Sequence, residues 1–512
     1  AWSKSGEDEE ENNKDETCLV VQASKEICLG INLEPDEWIK DSGCSKHMTG
    51  NRRLLSTYQA YNGGALPHQA LGTLAQKLGP IFYLQLGEVS AVVISSPILA
   101  KQVLKTHDLV FADRPKILSA EIVGYNYKDI VFAPYGEYWR QMRKICILEL
   151  LSAKKVRSFH SVREEESWKL IEDIHMHEST PINLTHKIFT MMNVIATRVA
   201  VGSRFKDQRT LLVLIEEIIA LSGGFDVSDL FPSFKLIHLV TGMRKKLTTI
   251  HDKIDKMFDS IILEHQEQRR PDGQNDQNED LLDVLLRLKD EGAFQFPLTL
   301  DHIKAILVDM FVAGTDTASV TIEWAMLELM RNPSAMKKAQ AEVRYVLKGK
   351  KKIYESDIQE LDYLKLVIKE TLRLHSPLPL VVPRECRENC EIGGYLIPAN
   401  TKVLINSWKL GCDPDYWIDP ESFKPERFSE SSVNMMGTDF ELIPFGAGRR
   451  MCPGMAMGLA NIELPLARLL YHFNWDLPNG VTSQDLDMSE TFGATLNLKN
   501  NLKLIPSAYN TD

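Results

Sequence analysis

Eleven consecutive residues, Pro444 to Gly454, read Pro-Phe-Gly-Ala-Gly-Arg-Arg-Met-Cys-Pro-Gly. Glycines and prolines at this density exclude helix and central strand, so the stretch is a backbone-dominated loop that ends by presenting Cys452. Amide groups left free by such a turn are expected to point at the sulfur and lower its pKa. Arg450, two residues earlier, adds a fixed positive charge suited to a carboxylate on the same bound object. A charged, planar cofactor suits both features, whereas a lone cysteine in a surface turn needs neither.

The spacing is more telling than the composition. Phe445, Gly448, Arg450, Cys452 and Gly454 stand as Phe-x-x-Gly-x-Arg-x-Cys-x-Gly, which resembles the haem-thiolate loop of the cytochrome P-450 monooxygenases. The resemblance implies a mainly α fold with a small β region and a long central helix over haem. It makes Cys452 the proximal iron ligand, sets Phe445 beside it and pairs Arg450 with a haem propionate. A thiolate ligand pushes electron density that favours O–O cleavage. The implied cofactor is haem b, with electrons from NADPH arriving through a reductase.

A chain of 512 residues has ample material for a buried core. Its net charge of −11 excludes nucleic acid as a partner. Eight cysteines without a framework of spacings indicate a reducing compartment; Cys386 and Cys390, four apart in a polar turn, read as structural. No run of 18 apolar residues is present. Plant members of the family usually begin with an apolar anchor and a proline-rich hinge, and the first residues here show neither. The family location is the cytosolic face of the endoplasmic reticulum membrane; this chain is expected to be cytoplasmic or loosely membrane-associated.

Two segments are expected, 1–64 and 65–512. The first opens on an acidic run, Gly6 to Glu16, too polar to offset the entropy of ordering. Trp38-Ile39 and Asp41-Ser42-Gly43, continuing through Asn51 to Tyr58, resemble the protease-like module of copia-type retrotransposon polyproteins. Such catalysis needs two carboxylates sharing a proton, and this segment carries a single Asp-Ser-Gly, at Asp41, without most of the barrel. Cys44 and His47 have no spacing to Cys18 or Cys28 that makes a compact zinc site.

From Leu66 the pattern is that of one continuous enzyme domain. Alternation at Ile81–Leu86 and Ala91–Ile94 predicts a hairpin, followed by a helix from Pro97 to His107. Lys116 to Asp129 lacks helical periodicity, and the family places a substrate-facing loop there. Trp139 and Arg143, four apart, share a helix face; by resemblance both bind haem propionate. Arg140, Lys144, Lys154 and Lys155 make a basic patch suited to an acidic redox partner. Phe225 to Leu239 is an apolar connection followed by Arg244, Lys245 and Lys246, which suits either core or a membrane surface. Pro271 to Asp280 reads as a mobile loop.

A helix of some thirty residues is predicted from Thr299 to Met330, stopped by Asn332-Pro333. Its centre, Ala313-Gly314-Thr315-Asp316-Thr317, sets small residues where a core helix prefers bulk, and a mid-helix glycine costs about 1 kcal/mol relative to alanine. Ala313, Gly314 and Thr317 make a notch that takes a diatomic ligand, O2 by resemblance. The stretch resembles the family's Ala/Gly-Gly-x-Asp/Glu-Thr element, which makes Asp316 and Thr317 an acid–alcohol pair guiding protons to the oxygen being reduced. Ala318 stands where Ser or Thr is more usual, with no loss of activity expected.

Glu370 and Arg373, one helical turn apart, resemble the family's Glu-x-x-Arg and with Arg427 are expected to form a buried structural lock behind the Cys loop. Arg384 is a further propionate candidate. Met310, Ala313, Leu378, Val381 and Val382 are expected to line the substrate pocket. Lys409 and Cys412 replace the alanine and arginine common in the family, so packing there is expected to be weaker.

These readings make the chain a haem-thiolate monooxygenase of a small apolar plant metabolite, a terpenoid, alkaloid or phenolic. Two rivals stand beside it: a haem isomerase or dehydratase that needs no O2, and an inactive fusion of a transposon fragment with an anchorless enzyme.

Overall fold

The computed structural model describes residues 66–509, apart from 203–206, 224–226, 234–240, 269–278, 293–295 and 479. The retrotransposon-like segment 1–64, with Asp41 and the weighed zinc ligands, therefore lies outside the described residues. So do most of the 271–280 loop and the Phe234 to Leu239 part of the apolar connection.

The fold is mainly α with a small β region. Helix α1 (Pro67–Leu78) starts on a proline, whose fixed φ suits the first helical position. Strands β1 (Ile81–Leu86) and β2 (Val89–Ile94) pair antiparallel as a hairpin. They join β3 (Arg384–Glu385) and β4 (Lys402–Ile405) in one sheet of order β1-β2-β4-β3. The β2–β4 pair is parallel, Ala91 opposite Lys402 and Ile94 opposite Ile405, so it needs the long helical crossover that supplies most of the enzyme. The segment expected to lack helix, Lys116 to Asp129, carries a short one, Leu118–Ile122, followed by left-handed backbone at Tyr125, Asn126 and Tyr127.

Four further helices set the site: α2 (Glu137–Ile145), α3 (Leu184–Val201), α4 (Gln208–Leu221) and α5 (Leu300–Arg331). Helix α5 begins where Thr299 and His302 cap each other, the Thr299 amide donating to His302 Nδ1 at 3.0 Å. It runs 32 residues through the main core and packs most extensively against α3. Among the described residues it is the one helix long and apolar enough to cross a membrane. Its position explains that composition, because a helix covered on all sides has no polar face to keep.

Helix α6 (Asp362–Leu374) carries Glu370 and Arg373, and α7 (Met455–His472) follows the Cys loop directly. Strands β5 (Glu490–Phe492) and β6 (Leu496–Leu498) form a late hairpin whose turn reaches the centre of the molecule. A separate three-stranded sheet joins Ile182–Asn183, Lys503–Ala508 and Phe473–Asp476.

Candidate active site

Gly448 shows why the Cys loop takes this sequence. Its φ is +69°, and a Cβ there would stand 2.0 Å from the Leu104 carbonyl oxygen. Only glycine fits. The next amide, of Arg449, donates to Asp108 at 2.7 Å, and the Cys452 amide closes the loop on the Phe445 carbonyl at 2.9 Å. Cys452 is thereby held at the N-terminal end of α7, where the helix dipole favours an anionic sulfur.

The thiol faces a cavity of about 460 Å³ and owes its accessible surface to that cavity, although protein encloses it. The expectation that the loop lowers the thiol pKa needs correction. Burial raises it; the Gly454 amide and the Arg143 charge oppose this without reversing it. One amide and one guanidinium do not offset the loss of solvent.

Beside the thiol lie four arginines, Arg114, Arg143, Arg384 and Arg450. Burial lowers the pKa of each; Arg384 adds to the effect at Arg114 and Arg450, and Arg143 at Arg384. Guanidinium groups stay charged in proteins, so the lowering marks positive charge held out of water. Among the described residues, the one ion pair these four make within 4 Å is Arg384 to Asp108 at 3.6 Å. Arg384 Nε is buried without a partner. Backbone carbonyls hold the rest: Arg450 donates to Ala112, Ile130 and Ala133, and Arg114 to Val131, Val382 and Pro383. Arg143 donates to the Met451 carbonyl. Arg114, Arg143 and Arg450 line the cavity, and Arg384 stands behind them.

Trp139 differs from its expected part. Its indole N–H donates to the Ile130 carbonyl at 2.9 Å and is not free for an anion. A buried N–H takes the acceptor its own neighbourhood offers. The ring instead supports the guanidinium of Arg450, and Arg143 lies 5.4 Å from its centroid.

Across the cavity stand Ala313, Gly314, Asp316 and Thr317. A Cβ on Gly314 would meet Ala196 of α3 at an ordinary 3.6 Å. Asp316 and Thr317 do not bond to each other as an acid–alcohol pair. The Thr317 hydroxyl donates to the Ala313 carbonyl at 2.8 Å, as helical threonines often do. The Asp316 carboxylate accepts from the Thr495 hydroxyl in the turn between β5 and β6. Burial raises its pKa to about 6 against that hydrogen bond.

Met310, Leu378, Val381, Val382 and Phe445 also line the cavity. Val381 has φ 53°, an outlier for a β-branched residue. The strained turn brings its Cγ1 to 3.6 Å from where a Gly446 Cβ would be, so its methyls cover the Cys loop.

Glu370, Arg373 and Arg427 meet behind that loop. Arg373 makes two bonds of 2.8 Å to Glu370, Arg427 makes one of 2.8 Å, and the Lys424 amide adds another of 2.8 Å. Arg373 also holds the carbonyls of Gly411, Pro420 and Ser422. Cys412 is largely enclosed beside this lock, and burial pushes its thiol up to about 11.

Sequence reasoning missed Arg114, Asp108 and Thr495. Arg114 follows Asp113 and precedes Pro115, a dipeptide step biased toward extended backbone, and that is its only local signal. Thr495 has none.

The arginines decide the class. An apolar pocket alone takes any lipophile, but one whose lining adds three guanidinium groups and a single cysteine suits a flat acid with an electrophilic centre, as in haem-thiolate proteins. The Cytochrome P450 family model matches residues 51–505, and the chain belongs to that family. It is a haem monooxygenase. It is similar to a germacrene A hydroxylase of Barnadesia spinosa, 56% identical over 88% of this chain and 89% of the relative. A premnaspirodiene oxygenase of Hyoscyamus muticus is 55% identical over 87% and 89%. A zebra fish cytochrome P450 solved with abiraterone shares the fold at a TM-score of 0.75, with 24% identity over 87% of this chain and 99% of that one.

Proposed function

We propose that the enzyme inserts one oxygen atom from O2 into a C–H bond of a terpenoid hydrocarbon, with electrons from NADPH delivered by a reductase. The observation that carries this reading is the apolar cavity between Cys452 and the small-residue face of α5, in a chain whose relatives are named for terpenoid oxidation. Haem held by Cys452 supplies the activation of O2.

The chain's own residues do the remaining work. Arg114, Arg143, Arg384 and Arg450 hold the propionates, with Trp139 as the platform under Arg450. Phe445 packs beside the ligand. Met310, Ala313, Leu378, Val381 and Val382 orient the hydrocarbon and exclude water. Gly314 leaves room for O2. Thr317 holds a proton at Oγ1 facing the cavity, and Asp316 replenishes it. Glu370, Arg373 and Arg427 keep the Cys loop in place.

The reductase docks where Arg140 and Lys144 of α2 and Lys154 of the following helix, Ala153–Ser158, present exposed charge; Lys155 is turned inward to the Glu279 carbonyl. The enzyme works beside that reductase at the cytosolic face of the endoplasmic reticulum membrane. Residues 1–64 contribute no peptidase activity, because the sequence carries one Asp-Ser-Gly and lacks the strands that complete such a barrel; pepstatin-sensitive cleavage lost on Asp41→Asn overturns that.

The test is turnover of germacrene A with isotopically heavy O2, NADPH and a plant reductase. Label in the product supports the reading. Product formed without O2 or NADPH overturns it in favour of an isomerase. Thr317→Ala is expected to keep haem and substrate binding and to divert reduced oxygen to peroxide; unchanged coupling removes Thr317 from proton delivery.

A further inference from the structure

Helix α5 grips the late hairpin at three levels. Asp316 accepts from Thr495 in the hairpin turn. Two turns on, the Trp324 indole donates to the Leu496 carbonyl at 3.2 Å. One turn further, Glu328 lies 2.8 Å from His375 Nε2, whose Nδ1 is 3.8 Å from Glu490 on β5. The turn itself, Gly493 to Thr495, is cavity wall, and its Ala494 amide donates to the Ile219 carbonyl of α4 at 3.1 Å. Adjacent residues of one turn therefore tie a helix over the pocket to the acid of α5.

The direction of the Thr495 bond is settled by its other neighbour. Asn497 Nδ2 donates to Thr495 Oγ1 at 3.0 Å, which leaves the hydroxyl hydrogen for Asp316. A hydroxyl that accepts from one side donates better on the other. Around Asp316 the elements bring few charges. On its own helix Glu323 repels it weakly; α3 brings Thr185, which donates to Glu323, and the hairpin brings Thr495 and Asn497. Among the described residues, Thr495 is thus the one group whose hydrogen bond offsets the burial of the Asp316 charge.

We propose that Thr495 is a positioning residue for proton delivery: it holds Asp316 as an oriented carboxylate, and the turn links that hold to the helix over the substrate. A filled pocket presses on Gly493 and Ala494 and so sets where Asp316 points. The inference rests on the monooxygenase reading with Asp316 as the proton source. A bond donated to the charged form favours that form, so loss of Thr495 raises the pKa of Asp316.

The experiment compares Thr495→Val, Thr495→Ser and Asp316→Asn in the haem-loaded enzyme with its reductase. It records product formed per NADPH against pH, and the Asp316 carboxyl stretch by infrared difference titration, the band being assigned by its loss in Asp316→Asn. Thr495→Val is expected to lower coupling several-fold and move both midpoints up by about one pH unit, the size of one charge-assisted hydrogen bond. Thr495→Ser is expected to stay with the parent. Parental midpoints in Thr495→Val, alongside impaired coupling in Asp316→Asn, overturn the proposal alone. Unchanged coupling in Asp316→Asn overturns the proton-source reading and this inference with it. If the valine variant does not load haem, the parent decides: germacrene A shifts the Asp316 band, and an unmoved band overturns the link.

Discussion

The guanidinium carbon of Arg450 lies 4.1 Å from the centroid of the Trp139 ring. A cation over an indole face in a desolvated site is attracted by about 2 kcal/mol, so Trp139 fixes Arg450 and stays clear of the anion itself. Arg450 in turn bonds three backbone carbonyls. The Arg450 guanidinium is therefore held by protein groups on two sides, and its charge suits an anionic ligand. Haem dimethyl ester, which lacks the propionate charges, is expected to bind the haem-free protein at least about ten-fold more weakly than haem. Absorbance titration measures this; equal affinities remove the arginines from cofactor binding.

Cys452→Ser is expected to abolish the long-wavelength carbon monoxide band of the reduced protein, because Cys452 is the cysteine that lines the cavity. The fold should persist, since the Cys452 amide, not its thiol, closes the loop on Phe445. Difference spectra and circular dichroism on one sample separate the two effects. A surviving band reassigns the ligand.

Glu370 is fully buried between two arginines. Glu370→Ala leaves both charges without their acceptor, and breaking a buried pair costs about 3–5 kcal/mol. Urea unfolding with haem bound should show a loss of that size and earlier release of haem. A loss typical of a surface substitution, within about 0.5 kcal/mol, contradicts a structural lock.

Val381 sits at φ 53° with its methyls over the Cys loop. Strain of this kind stores about 1–3 kcal/mol. In Val381→Gly the released strain is expected to offset the lost apolar burial, leaving stability within about 1 kcal/mol of the parent while the widened pocket gives more products. Product profiles from a terpenoid hydrocarbon check the second point, thermal unfolding the first.

His375 stacks on Trp324 at 3.9 Å and lies 2.8 Å from Glu328. Burial pulls its pKa down, yet the hydrogen bond to Glu328 and the nearby Glu490 carboxylate carry it above its ordinary 6.5. Glu490 is pushed up by burial and brought down to about 2 by His375 and His68. A raised histidine stabilises fully below 6.5, and that contribution is lost as pH rises through the higher folded value. The depressed carboxyl stabilises above its ordinary 4.5, and loses that contribution as pH falls toward 2. The melting temperature should thus hold steady between 4.5 and 6.5 and fall on the alkaline side. In His375→Gln the alkaline fall should flatten; an unchanged slope contradicts the assignment.

Covalent spacing alone determined several of these features. The turn that presents Cys452, the α5 face carrying Ala313, Gly314 and Thr317, and the one-turn separation of Glu370 and Arg373 are local, so they were legible in the sequence. The β1–β2 hairpin and the ends of α5 were legible for the same reason, since periodicity and caps act over a few residues. What stands opposite each side chain was decided only by the tertiary structure. The Trp139 indole finds the Ile130 carbonyl, and Asp316 finds Thr495 rather than Thr317. Arg114 joins a cluster whose other members come from distant segments, and the pKa of the Cys452 thiol is raised because the surrounding protein buries it. Spacing sets which groups share a face; hydrogen-bond partners and the local dielectric come from whatever chain the fold packs against that face.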